Sequence, residues 1–262
     1  MDFADPVQRR TFFAVHEGLP RQGPGSRQFT EQAFAQTSLP ANAEILDVGC
    51  GPGMQTFDLA RVAPAARICA VDLFIPFLQE LRDRASVEAG SAQIHPVCAN
   101  MAQLPFNTTS FDLIWSEGAA YTIGVSQALQ LWRPLLRRQG YLVFSNAGWL
   151  TTDPPDEIQR WWAAHYSDMR DRAGALQQIT EAGYTCRADF VLPPSAWWEH
   201  YYTPMQQRLD TLAHGDHGQD LHAGVLAEIQ TEIDMYTAYS EHYSYRFFVL
   251  QLRGEERDDS DS

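Results

Sequence analysis

A glycine-rich bend between an apolar strand and a helix is the part of the sequence best suited to binding a ligand. The apolar run ends at Val48, and glycine then occupies alternate positions, at Gly49, Gly51 and Gly53. Without a Cβ atom, glycine adopts positive φ and lets the backbone lie close to a ligand, while the free amides of a following helix N-terminus face that ligand. We therefore expect a ligand site beyond the carboxyl end of this strand.

An acidic residue at the end of the next apolar run supplies a second part of such a site. Asp72 follows the run at 68–71, about 20 residues beyond the glycines, at the distance where nucleotide-binding loops place an acid for the ribose. Its carboxylate can accept both ribose hydroxyls in charge-assisted bonds, which are roughly twice as strong as neutral ones. Leu73 comes next and is placed to pack on an adenine ring.

The glycine spacing narrows the choice of nucleotide. A dinucleotide loop requires Gly or Ala at the third position of its motif, where this chain has Met54, so the spacing disfavours NAD. A Walker loop requires Lys, and the sequence contains none. Asp47, just before the glycines, has two interpretations that can coexist: a ligand contact, or a structural carboxylate bonded to loop amides.

Asp47 and the alternating glycines together resemble the motif Asp-x-Gly-x-Gly-x-Gly of the class I S-adenosylmethionine-dependent methyltransferases. Later stretches at 99–106, 111–118 and 136–142 follow the order and spacing of that family. Asn100 departs from the pattern, because the family usually has Asp there. Among subgroups, the chain is most similar to the bacterial small-molecule enzymes related to the quinone-biosynthesis methyltransferases.

The resemblance implies that the chain binds S-adenosylmethionine as methyl donor and needs no metal. It also implies a role for the turn before the core, where an N-terminal helix folded over the donor would bring Arg21 to the methionine carboxylate; a solvated surface turn is the alternative. The candidate cofactor-binding residues are Arg21, Gln22, Gly23, Asp47, Gly49, Gly51, Gly53, Gln55, Thr56, Asp72, Leu73, Asn100, Met101 and Ser116.

Glu117 is the best-placed candidate for a general base, because it follows the fourth strand where the sheet edge opens onto the donor methyl. A hydroxyl or ammonium acceptor would benefit from such a base. Two alternatives stay open: binding of a cationic acceptor, or a helix N-terminal acid stabilised by the helix dipole. Tyr121 and His200 complete the set of candidate catalytic residues.

An aromatic segment at 197–202 predicts an acceptor-binding cap, since aromatic faces attract cations. Trp198, Tyr201 and Tyr202 are the candidate substrate-binding residues, and hydrophobic packing of a lid on the sheet is the alternative. His16 is expected on the surface or in helix packing. His214 and His217 are three residues apart and could bind a metal, but no third ligand accompanies them, so we assign no metal site.

Composition excludes several classes of function. The 262 residues carry 33 acidic and 19 basic side chains, giving −14, and every basic residue is Arg. Such a charge opposes binding to nucleic acids and to anionic membranes. Four scattered cysteines indicate reduced thiols, and an N-terminus without an apolar region indicates a cytoplasmic protein.

The rhythm of apolar runs predicts a doubly wound, Rossmann-like α/β fold. Strands are expected at 44–48, 67–71, 93–98, 111–115, 140–145, 184–192 and 245–253, and helices include 54–62, 75–89, 125–138, 156–169 and 174–182. The family resemblance implies a seven-stranded, mostly parallel sheet of order 3-2-1-4-5-7-6, with the last strand antiparallel.

We expect one domain over residues 1–253, followed by a disordered acidic tail at 254–262. Within the domain, we assign an N-terminal helical lid to 1–40, the cofactor-binding core to 43–147 and a helical cap to 193–243. The predicted function is transfer of a methyl group to a small-molecule acceptor by in-line displacement. The alternatives are a non-catalytic protein that binds S-adenosylmethionine or S-adenosylhomocysteine, and an NAD-dependent oxidoreductase.

Overall fold

A twisted sheet forms the centre of the computed structural model, which describes residues 4–88, 93–214 and 221–253. Its strands follow the order β3-β2-β1-β4-β5-β8-β7, and a short strand, β6, pairs with the end of β5. The strands are β1 (Glu44–Val48), β2 (Arg67–Asp72), β3 (Gln93–Cys98), β4 (Phe111–Glu117), β5 (Leu136–Trp149), β6 (Arg170–Asp171), β7 (Tyr184–Val191) and β8 (Tyr243–Leu252).

Helices join the strands and cover both faces of the sheet. A π-helical turn, Trp198–Tyr202, connects two of them in the cap. The helices are α1 (Pro6–His16), α2 (Arg27–Phe34), α3 (Met54–Val62), α4 (Ile75–Glu88), α5 (Val125–Trp132), α6 (Asp156–His165), α7 (Arg172–Glu181), α8 (Ser195–Trp197), α9 (Thr203–His214) and α10 (Ala223–Tyr239).

The alternation of side chains along each strand builds a core on either side of the sheet. Ile45 belongs to the cluster that packs under α2, α3 and the cap helices, whereas its neighbour Leu46 belongs to the cluster under α5 and α7. Leu113 and Ile114 divide in the same way on β4. Successive strand side chains point to opposite faces, so apolar runs without polar alternation predict a strand covered on both sides.

The predicted strand order is confirmed, with β8 antiparallel to both β5 and β7. The difference is the additional strand β6, in which Arg170 pairs with Gly148 and Asp171 with Trp149. A two-residue strand carries no periodicity that a sequence could reveal. Its presence extends the predicted seven strands to eight and leaves the main path unchanged.

Two predicted helices are shorter in the structure. The helix expected at 125–138 ends at Trp132, because Pro134 follows and cannot donate the backbone hydrogen bond that would continue it. The helix expected at 156–169 ends at His165. The predicted acidic tail at 254–262 lies outside the described residues.

The N-terminal segment lies between the core and the cap. The Gly25 amide donates to the Ala196 carbonyl oxygen at 2.9 Å, and the Arg208 guanidinium donates to the Ala14 carbonyl oxygen at 2.7 Å. Helix α2 packs against α3, which follows the glycine loop. This segment is therefore in position to contribute side chains to a site at the carboxyl edge of the sheet.

Candidate functional site

A cavity of about 380 Å³ opens beside the glycine loop, at the carboxyl ends of β1, β2 and β4. Its size falls within the range of small-molecule sites. The candidate residues from the sequence that line it are Arg21, Gln22, Gly23, Gly49, Gly51, Gln55, Asp72, Leu73, Asn100, Met101 and Glu117. Most of the residues assigned to the cofactor are thus brought together at one place.

The glycine loop has the left-handed conformation that its composition predicts. Gly49, Gly51 and Gly53 have φ of +73°, +53° and +91°. A Cβ atom on Gly49 would lie 2.4 Å from the Ala119 Cβ atom, and one on Gly53 would lie 2.6 Å from the Leu81 Cδ1 atom. Two of the glycines are therefore required for close packing of the loop itself.

The Asp72 carboxylate is oriented by backbone amides. Its Oδ2 atom accepts from the Gly51 amide and its Oδ1 atom from the Phe74 amide, both at 2.9 Å. Burial raises the pKa of this carboxyl group, although the amide donors oppose the effect. Each carboxylate oxygen can accept more than one hydrogen bond, so Asp72 keeps acceptor capacity for a ligand.

Asp47 lies beneath the loop rather than on the cavity wall. It has no solvent exposure, its Oδ2 atom accepts from the Thr56 hydroxyl at 2.6 Å, and its Oδ1 atom has no hydrogen-bond partner. Burial raises its pKa to about 7. Ser116 is also buried and donates to the Val48 carbonyl oxygen at 2.9 Å. Direct contact of these residues with a cofactor stays a prediction.

Arg21 is the centre of a buried ionic network. Its guanidinium lies 2.5 Å from the Asp58 Oδ2 atom and 2.9 Å from the Glu117 Oε2 atom. All three side chains are at most 6% exposed. Sequence reasoning did not single out Asp58, which lies in the middle of α3 with no motif around it. Arg21 thus joins the N-terminal segment to the core.

Glu117 lines the cavity, but its carboxylate is engaged on both oxygens. In addition to Arg21, the Thr30 hydroxyl donates to Oε1 at 2.8 Å and the Trp115 indole donates to Oε1 at 2.9 Å. A general base needs a lone pair directed at the acceptor. The hydrogen bonds instead favour an anchoring role, in which Glu117 holds α2 and the Arg21 turn against β4.

His16 lines the cavity, so of the two predicted alternatives, surface or helix packing, the surface one is wrong. It is buried, its ring stacks on Phe12 with 3.9 Å between centroids, and its Nδ1 atom lies 2.7 Å from the Gln22 side-chain oxygen. Burial lowers its pKa to about 4. The ring is therefore neutral near pH 7, and it donates from Nδ1 to the amide oxygen. Its Nε2 atom is then an acceptor.

The wall opposite the loop offers apolar side chains and an amide. Leu73 is 57% exposed, which is unusual for an apolar residue beside a cavity, and Phe74 and Met101 lie near it along the lining. The Asn100 side-chain oxygen accepts from the Ala102 amide at 2.9 Å. Its NH₂ group remains able to donate, so this wall suits a flat aromatic ring with a hydrogen-bonding edge.

The candidate residues of the cap lie outside the cofactor cavity. Tyr201 and Tyr202 are buried, and their hydroxyls lie 3.4 and 3.0 Å from the Glu232 Oε1 atom. Tyr121 is 38% exposed and contacts the edge of the Tyr166 ring.

Trp198 and His200 are both half-buried, and Trp198 packs against the Tyr202 ring with centroids 5.7 Å apart. Of the three predicted catalytic residues, Glu117 alone lines the cofactor cavity. Catalytic roles for Tyr121 and His200 stay predictions.

The part of the chain that the structure describes contains neither a cluster of metal ligands nor a membrane-spanning helix. No three side chains of His, Cys, Asp or Glu in residues 4–88, 93–214 and 221–253 converge as metal ligands would. Within the same ranges, no helix has the length and apolar character needed to cross a membrane.

The chain is similar in sequence to known methyltransferases. Residues 45–140 match the family described as methyltransferase domain. The chain is 35% identical over 159 residues to the malonyl-[acyl-carrier protein] O-methyltransferase of Gallionella capsiferriformans, covering 54% of each chain. It is 30% identical over 162 residues to the enzyme of that name from Legionella pneumophila, covering 58% of this chain and 54% of the relative. The chain thus spans about half the length of these relatives.

Solved structures share the fold. The S-adenosylmethionine-dependent methyltransferase of Geobacter sulfurreducens, solved with S-adenosylhomocysteine, superposes with a TM-score of 0.77 at 18% identity over 93% of this chain and 98% of that one. The corresponding protein of Thiobacillus denitrificans, also solved with S-adenosylhomocysteine, gives 0.76 at 20% identity, with the same coverage. The [4+2]-cyclase SpnF gives 0.74 at 16% identity, covering 94% of this chain and 92% of that one. The fold is therefore compatible with more than one reaction.

Proposed function

We propose that this chain is a class I S-adenosylmethionine-dependent methyltransferase and that it binds S-adenosylmethionine in the cavity beside the glycine loop. The domain match over residues 45–140 and the fold support this proposal. We further propose that it transfers the methyl group to a small-molecule acceptor. The observation that carries the proposal is the Asp72 carboxylate, which is fixed by the Gly51 and Phe74 amides at the mouth of a cavity of about 380 Å³.

The residues present fit the adenosine part of this compound. Asp72 keeps acceptor capacity for two adjacent hydroxyls, which is what a ribose offers. Leu73 and Met101 provide apolar contact for a purine ring, and the Asn100 amide can donate to its edge. The exposure of Leu73 supports this assignment, because a bound ring would remove that apolar surface from water.

The remainder of the cavity fits an amino-acid group. Gly49 and Gly51 bring backbone close to the ligand, and Gln22 borders the same space, since a Cβ atom on Gly51 would lie 3.3 Å from the Gln22 Cγ atom. Arg21 supplies positive charge for a carboxylate, although Asp58 and Glu117 already bind its guanidinium. When bound, S-adenosylmethionine supplies a methyl group on a positively charged sulfur.

The protein contributes position rather than a strong base. An acceptor atom with a lone pair must lie in line with the bond between methyl and sulfur, and fixing that alignment supplies much of the rate. The bond electrons leave with sulfur while the acceptor forms the new bond. Because both Glu117 oxygens already accept hydrogen bonds, from Arg21, Thr30 and Trp115, we assign it to holding the Arg21 turn.

Calorimetry with S-adenosylhomocysteine tests the proposal. We expect saturable binding to the wild type and at least about tenfold weaker binding to Asp72→Ala, since a hydrogen bond to a charged group contributes roughly 1.5–3 kcal/mol. Asp83→Ala, on the exposed surface of α4, is the matched control and should bind like wild type. Equal affinity of Asp72→Ala, or binding of NAD in place of S-adenosylhomocysteine, contradicts the proposal.

Catalysis is tested separately from binding. The likeness to a cyclase keeps open a protein that binds the compound without transferring its methyl group. A lysate supplied with donor carrying a labelled methyl group should yield a labelled small molecule only when the protein is added. If S-adenosylhomocysteine binds but no acceptor becomes labelled, the non-catalytic alternative replaces methyl transfer.

A further inference from the structure

A carboxylate without a cationic partner lies among the aromatic side chains of the cap. Glu232 is on α10, and its Oε1 atom accepts from the Tyr202 hydroxyl at 3.0 Å and from the Tyr201 hydroxyl at 3.4 Å. Within the described residues, no Arg forms an ion pair with it and no hydrogen bond reaches its Oε2 atom. Burial raises its pKa. This half-buried carboxylate therefore accepts hydrogen bonds from neutral groups and, in the described part of the chain, forms no ion pair with Arg, and the nearby His165 acts to lower its pKa.

Aromatic rings pack around the two tyrosines that bind this carboxylate. The rings of Tyr201 and Tyr202 stack with 4.9 Å between centroids, and those of Trp198 and Tyr236 lie 5.7 and 5.4 Å from the Tyr202 ring. Burial, followed by the charge of Glu232, raises the pKa of both Tyr201 and Tyr202 well above the usual range. The tyrosine hydroxyls thus remain protonated and supply the carboxylate with hydrogen bonds but no positive charge.

The aromatic cluster connects to the cofactor cavity through Gly118 and Tyr245. Gly118 lines that cavity, and a Cβ atom on it would lie 3.0 Å from the Tyr245 ring. Burial is the main cause that raises the pKa of Tyr245, and Tyr121 and Glu232 add to it electrostatically. Tyr245 therefore lies next to Gly118 at the cofactor cavity, and the charge of Glu232 acts on it.

We propose that Glu232, Tyr201, Tyr202 and Tyr245 form the acceptor site, and that the acceptor is a small molecule bound through an ammonium group. The ammonium nitrogen has no lone pair, so the methyl group goes to another atom of the molecule that carries one. This inference rests on the proposed methyl transfer and specifies its substrate class. A cation compensates the Glu232 charge and gains attraction from the aromatic faces. An anionic acceptor would be repelled, and a neutral one would leave the carboxylate without a partner.

The test uses the complex with S-adenosylhomocysteine and a pair of probes that differ in charge. Choline carries a quaternary ammonium, and its uncharged carbon analogue has the same shape. We expect calorimetry to show saturable binding of choline to the wild type and at least about tenfold weaker binding of the analogue. Equal binding of the two probes, or no saturable binding of choline, overturns the inference.

Variants test whether the Glu232 carboxylate is responsible for choline binding. Glu232→Gln keeps the shape of the side chain and should weaken choline binding about tenfold or more, whereas Asp234→Asn, an exposed change on the same helix, should not. Unaltered choline binding by Glu232→Gln overturns the inference.

Binding of S-adenosylhomocysteine is the second readout for each protein. Its retention by Glu232→Gln shows that the variant is folded. If the wild type does not bind S-adenosylhomocysteine, the proposed function is refuted. By contrast, retained binding together with no preference for choline refutes only the ammonium acceptor.

Discussion

Replacement of Arg21 by Met is the perturbation for which the structure predicts the largest loss of stability at the site. Arg21 is 5% exposed and contacts two carboxylates that are 2% and 6% exposed, those of Asp58 and Glu117. Met has similar length and packs without charge, so the variant removes the cation while keeping most of the volume. Both carboxylates then lose their common partner inside the protein.

The size of the expected stability loss depends on the partners that Asp58 and Glu117 keep when Arg21 is removed. Removing one member of a buried ion pair costs about 3–5 kcal/mol. Asp58 keeps Arg61 at 3.0 Å, which is 41% exposed and only a partial substitute, and Glu117 keeps the neutral donors Thr30 and Trp115. We therefore expect a loss of about 3–4 kcal/mol, a large share of the roughly 5–15 kcal/mol that stabilises a typical protein.

Urea unfolding followed by circular dichroism measures the loss. Arg27→Met is the matched control, because Arg27 pairs with Glu31 one turn away on the surface, at 59% and 39% exposure. Such a pair contributes about 0.3–0.5 kcal/mol. The loss of stability caused by Arg21→Met should also be smaller at acidic pH. Burial raises the pKa of Asp58, so this carboxylate takes up a proton there and loses its charge.

The reasoning is refuted if Arg21→Met costs less than about 1 kcal/mol at neutral pH, near the value of a surface pair. A triple variant with Asp58→Asn and Glu117→Gln provides a further check. It should recover much of the loss, because no carboxylate is then left without a cation. Failure to recover would show that Arg21 acts through packing rather than charge.

Two further predictions concern the glycine loop and its buried acid. Gly49→Ala should lower the free energy of unfolding by about 1–3 kcal/mol, because φ is +73° and the new Cβ atom would lie 2.4 Å from Ala119. Gly23→Ala, with no atom within 4 Å, should leave stability nearly unchanged in the same urea titration. Between about pH 4 and pH 7, the contribution of Asp47 to wild-type stability should fall as pH rises, by up to about 4 kcal/mol, since Asp47 keeps its proton when folded, with a pKa of about 7, and loses it when unfolded. Asp47→Asn should lack this slope in urea titrations across that range, and parallel profiles for the two proteins would contradict the assignment.

Local signals in the sequence were sufficient to predict the sheet and the conformation of the glycine loop. The run 45–48 is apolar at three of its four positions, which fits a strand covered on both faces, and Ile45 and Leu46 indeed enter different cores. The glycines at alternate positions predicted a left-handed bend, which all three adopt. These features depend on neighbours in the chain, so periodicity and residue type reveal them.

The parts of the site that the sequence did not reveal depend on contacts between distant segments. Arg21 meets residues 37 and 96 positions away, and Tyr202 meets Glu232 across 30 positions. His16 lies in an ordinary helix, and only the packing of α1 over the loop buries it in the cavity. Nothing in the types of Asp58, His16 or Glu232 distinguishes them from other polar residues of amphipathic helices.

The N-terminal segment connects the two proposed ligand sites physically. Arg21 and Gln22 border the cofactor cavity, and a few residues later the Gly25 amide donates to Ala196, next to the aromatic segment of the cap. An acceptor that orders the cap therefore acts on a segment that also contacts the cofactor. Because coupling free energy is reciprocal, any factor by which an ammonium ligand changes the affinity for S-adenosylhomocysteine must equal the factor by which S-adenosylhomocysteine changes the affinity for that ligand.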